Sequence, residues 1–145
     1  MVASTQKNLY FNDKTTESGT VYYYAIKSFK KVGTETVTSA SSSAKNTIYV
    51  KNTFISKLSN QYSGTLKVEF SQTPNCSGYE IEYSTSADMK NPVPVLVKMA
   101  SAKDKSIINL TKGKTYYVRI RSYKTMGGYT FYSEWSAVKS LTLTK

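Results

Sequence analysis

The strongest constraint on this chain is a repeat. Gly19-Thr20-Val21-Tyr22-Tyr23-Tyr24-Ala25-Ile26-Lys27-Ser28-Phe29-Lys30 returns as Gly113-Lys114-Thr115-Tyr116-Tyr117-Val118-Arg119-Ile120-Arg121-Ser122-Tyr123-Lys124, an offset of 94 residues. Aligned without gaps over residues 19–45, 11 of 27 positions are identical, among them Gly33 with Gly127, Ser39 with Ser133, Ser42 with Ser136 and Lys45 with Lys139. Solenoid repeats are far shorter, so this spacing is that of a whole domain. The 145-residue chain reads as one complete unit, residues 52–145, preceded by the last half of another, residues 1–51.

The complete unit has the period-two pattern of half-buried strands. Leu66, Val68 and Phe70 alternate with Lys67 and Glu69; Tyr79, Ile81 and Tyr83 alternate with Glu80 and Glu82; Tyr116, Val118 and Ile120 alternate with Tyr117, Arg119 and Arg121. Each pattern sends one face to a core and the other to water. Val93-Pro94-Val95-Leu96-Val97-Lys98-Met99 is a further strand whose prolines suit an edge. Phe54-Ile55 opens the unit, and Ile107-Ile108 and residues 138–143 complete seven strands, with turns at residues 75–78, Gly113 and Gly127-Gly128. The fold class is all-β.

Composition removes most chemistry. The chain has no His, nine Asp plus Glu and one Cys, which takes away the usual general bases, metal clusters and any intramolecular disulfide. Glu80 and Glu82 share a strand face with no sign of a pocket and are expected to be solvated carboxylates. Cys76 falls in a loop with no His to activate it. The reading is of a chain that is not an enzyme and carries no cofactor or metal. No apolar run approaches the roughly 18 residues of a membrane span, and Met1-Val2-Ala3-Ser4-Thr5-Gln6-Lys7 lacks the start of a signal peptide. Asn75-Cys76-Ser77 and Asn109-Leu110-Thr111 match the glycosylation pattern, but no cysteine pairs accompany them to suggest a host that would use it.

A net charge of +11 accompanies 13 Tyr. The excess is spread over both halves, seven Lys against three acids in residues 1–51 and 13 Lys or Arg against six in residues 52–145. Lys30-Lys31 is the one adjacent basic pair, and no nucleic-acid signature accompanies it. A solvated basic surface is expected, with weak attraction for an anionic cell-wall polymer as the alternative.

Leu110 precedes Tyr116 by six positions across a Lys112-Gly113 turn, the spacing of a tyrosine corner in which the phenol ties back to upstream backbone. With Gly78-Tyr79-Glu80-Ile81-Glu82-Tyr83 in the third strand, Tyr116-Tyr117-Val118-Arg119-Ile120-Arg121 in the sixth and Tyr132-Ser133-Glu134-Trp135-Ser136 before the last, residues 52–145 resemble the fibronectin type III family. The resemblance implies an immunoglobulin-like, seven-stranded β-sandwich, with Phe70 where the family usually has a core Trp. Residues 1–51 resemble the last three strands of a preceding domain, with Leu9-Tyr10-Phe11-Asn12-Asp13 as its fifth strand. Tyr22, Tyr24 and Ile26 would leave one face of that half wet, and we expect it to pack against the same segment of a second molecule or against the complete domain.

Tyr132-Ser133-Glu134-Trp135-Ser136 resembles the Trp-Ser-x-Trp-Ser motif of cytokine-receptor domains, in which rings stack with guanidinium groups. Here Arg119 and Arg121, the chain's two Arg, would supply them. A structural ladder is the first reading and a ligand face the second. Tyr117, Tyr129, Tyr132 and Trp135 could stack on sugar rings, with Tyr129 and Met126-Gly127-Gly128 in the loop between the last two strands. The Lys- and Tyr-rich style resembles modules of surface or secreted proteins of Gram-positive bacteria. That implies a noncatalytic extracellular spacer or adhesion module meeting protein or polysaccharide surfaces. The alternatives are an accessory carbohydrate-binding domain of a secreted polysaccharide-degrading enzyme and a receptor ectodomain, the latter weakened by the lack of paired cysteines.

Overall fold

The computed structural model describes residues 10–145, and every regular element in it is a β-strand. The first segment carries β1 (Val21–Tyr24), β2 (Phe29–Val32), β3 (Glu35–Thr38) and β4 (Lys45–Ile48). The complete unit carries β5 (Ile55–Ser59), β6 (Leu66–Phe70), β7 (Gly78–Ser84), β8 (Val93–Val97), β9 (Asp104–Ile107), β10 (Thr115–Met126), β11 (Tyr129–Tyr132) and β12 (Lys139–Thr142). All pairings are antiparallel.

In the complete unit one sheet runs β5-β6-β9 and the other β11-β10-β7-β8, with β12 also on β10. The alternating residues close these sheets face to face. Leu66, Val68 and Phe70 meet Tyr79, Ile81, Tyr116, Val118 and Ile120, with Ile55, Val97, Ile107 and Leu143 filling the ends. Phe70 packs on Tyr79 with ring centroids 4.7 Å apart, so an aromatic pair occupies the centre in place of an indole. β8 pairs with β7 alone, as its prolines require of an edge. The tyrosine corner is formed: the Thr111 amide donates to the Tyr116 hydroxyl at 2.9 Å, and Leu110 is half-buried against the core.

The seventh strand departs from the expected plain form. It is broken into β11 and β12, which pair with the two ends of β10, and residues 126–129 are the tip of a hairpin and not an open loop. Between the two pieces, Ser133 and Ser136 hold the chain to β10 with both backbone and side chain. Their amides donate to the carbonyls of Ser122 and Ile120, while their hydroxyls accept from the Ser122 and Ile120 amides at 3.1 Å each.

The first segment repeats this arrangement 94 residues earlier. β4 pairs with β1 in the register that β12 has with β10, and β3 pairs with β2 as β11 does with the far end of β10. Ser39 and Ser42 make the four bonds of Ser133 and Ser136, and the Glu17 amide donates to the Tyr22 hydroxyl at 2.7 Å as a second tyrosine corner. One expectation fails: Tyr10-Phe11-Asn12-Asp13 is not a strand, and Leu9 lies outside the described residues. The equivalent strand β9 exists by pairing with β6, and no counterpart of β6 is present among the described residues to pair here. Asp13 instead caps its own turn, accepting from Thr15 and from the Tyr24 hydroxyl, and the Thr15 bonds hold its carboxyl below the usual range.

Candidate functional site

The outward face of β7 and β10 gathers the chain's two Arg. Arg119 stands opposite Glu82 and Arg121 opposite Glu80 in the β7–β10 register. Arg119 donates through Nε and Nη2 to Glu82 Oε2 at 2.8 and 2.6 Å, and Arg121 reaches Glu80 Oε2 from Nε and Nη2 at 2.7 and 2.6 Å. Glu80 and Glu82 are therefore not the solvated carboxylates that the sequence suggests. Their side chains are only 16% and 15% exposed, because alternation put them directly across from two guanidinium groups.

The aromatic rings lie over the other side of these cations. The Arg121 guanidinium carbon is 3.8 Å from the Tyr132 ring centre and 4.3 Å from that of Trp135, and the Arg119 carbon is 4.4 Å from Trp135. The order is Tyr132, Arg121, Trp135, Arg119. Trp135 touches both cations because the serine-held segment advances three residues from one ring to the next, bringing both rings to one face. Tyr132 also meets Tyr123, its cross-strand partner, at 6.2 Å between centroids.

Of the expected stacking residues, Arg119, Arg121, Tyr132 and Trp135 come together and Tyr117 and Tyr129 do not. Tyr117 is half-buried between Ser84 and Ser140 of its neighbouring strands. Tyr129 sits at the hairpin tip, 73% exposed, and faces the first segment across a groove of about 280 Å³ lined also by Tyr23, Asn46, Met126 and Phe131. Sequence reasoning missed Glu80 and Glu82 as ladder partners and the two serines as its supports. The signal for the serines was present, since both recur at the repeat offset. Cys76 is buried in the core. Among the described residues no group of His, Cys, Asp or Glu is arranged to hold a metal, and no helix is long and apolar enough to cross a membrane.

Each cation of this face has a carboxylate on one side and π-density on another, so its hydrogen-bonding and stacking capacity is engaged within the face itself. The first segment lacks the ladder altogether, with Ala25, Lys27, Thr38 and Ser41 at the four equivalent positions.

No family model matches the chain, and no curated protein matches it. Solved structures do. A computationally redesigned β-sandwich protein is similar at 18% identity and a TM-score of 0.53, covering 66% of this chain and 92% of its own. The FN1–FN3 domains of chicken CNTN1 are similar at 16% identity and a TM-score of 0.52, over 93% of this chain and 46% of that one. At such identities the likeness is one of fold: an all-β, fibronectin type III-like sandwich.

Proposed function

We propose that the chain is a noncatalytic module of a larger extracellular bacterial protein, a tandem of one complete and one partial sandwich acting as a spacer or adhesion element. The observation that carries this reading is the joint between the two segments. Ser122 Oγ donates to the Lys51 carbonyl at 2.5 Å, the Lys51 amide donates to Ser18 Oγ at 3.1 Å, and Asn75 Nδ2 reaches the Ser18 carbonyl at 3.3 Å. Val50 is buried beside them, and the Cα of Gly19 packs so closely that a Cβ there would lie 2.6 Å from the Asn75 carbonyl oxygen. A pinned joint suits an element that holds its neighbours at a set distance.

The partners proposed are protein or polysaccharide surfaces, with an anionic wall polymer drawn by the +11 charge. Retention on peptidoglycan bearing its anionic polymers, and on neutral polysaccharides, at low and at physiological salt tests the reading. A spacer held near the wall by charge alone is retained on the polyanion at low salt and released as salt rises. Retention on neutral glycan at both salts, lost in Tyr129→Ala, overturns it in favour of a carbohydrate-binding domain. The exposed Tyr129 and Tyr23 at their groove are the observation that keeps that second reading in play.

A further inference from the structure

We draw no further inference here: the strongest candidate, the uncharged groove between the first segment and the tip of the β10–β11 hairpin, where Tyr23 and Tyr129 stand 71% and 73% exposed, belongs to the carbohydrate-binding reading already given, and nothing in the structure shows what else occupies it.

Discussion

Trp135 lies between the two guanidinium groups, and removing it leaves Arg119 with its carboxylate but no ring and Arg121 with its carboxylate and the Tyr132 ring alone. Two cation–π contacts at about 0.5–2 kcal/mol each, with the lost packing, place Trp135→Ala at about 2–3 kcal/mol. For a unit of this size that lowers the melting temperature by about 10 °C, measured by calorimetry. An unchanged melting temperature would mean the ring is held for a ligand and not for the fold. Arg119→Lys keeps the charge yet cannot present two N–H groups to Glu82 while lying flat on indole, so it should lose most of the same stability. Tyr79 answers to pH. Its hydroxyl donates to the Ala100 carbonyl and accepts from the Thr73 amide, and burial pushes its pKa up to about 12. The unfolded chain releases this proton near pH 10 and the folded one does not, so the stabilisation is whole below pH 10 and is lost as pH rises toward 12. Denaturant titrations across that window should show a decline that Tyr79→Phe makes shallower.

The two copies of one segment show what a strand owes to its neighbours. Tyr22 to Lys30 and Tyr116 to Lys124 share their sequence pattern, yet β10 runs unbroken for 12 residues while its counterpart splits into β1 and β2. Period-two alternation made the strands of the complete unit legible from Leu66, Tyr79 and Tyr116 outward. It could not show the break in the first copy, because that depends on the strand beside it and not on the strand itself. The pairing of Glu80 and Glu82 is hidden from local sequence for the same reason: their environment comes from Arg121 and Arg119, far along the chain, through register. Amide exchange should therefore be slow at residues 119–122 and fast at residues 25–28 in the isolated chain, and equal rates would contradict that break. At the start of β7, Gly78 marks where the sheet is tightest. A Cβ there would overlap the Val97 carbonyl oxygen and lie 2.7 Å from the Tyr123 hydroxyl. Gly78→Ala must part β7 from β8, at a cost of about 3 kcal/mol or more, visible as a shifted urea midpoint.

At the scale of the whole molecule the joint is what the repeat left unreadable. Repetition places Ser28 and Ser122 at equivalent positions, and nothing in the repeated pattern shows that the Ser122 hydroxyl bonds the Lys51 carbonyl at the joint. Its side chain is fully buried, and its hydroxyl is the bond that ties Lys51 to the sheet of the complete unit. Ser122→Ala removes that bond and leaves the Lys51 carbonyl without its partner, while the backbone amide of residue 122 still donates to Ser133 Oγ. The complete unit should lose about 1 kcal/mol, a neutral hydrogen bond's worth. The larger effect should be on shape. With Ser18 and Asn75 alone spanning the joint, the two segments sample more orientations, and small-angle scattering should report a larger radius of gyration and a broader distance distribution. A scattering curve identical to that of the parent chain would mean that packing of Val50 and Gly19 against their neighbours sets the joint without help from the hydroxyl. The spacer reading would then rest on apolar contact, and Gly19→Val, which must displace Asn75, would become the substitution that loosens it.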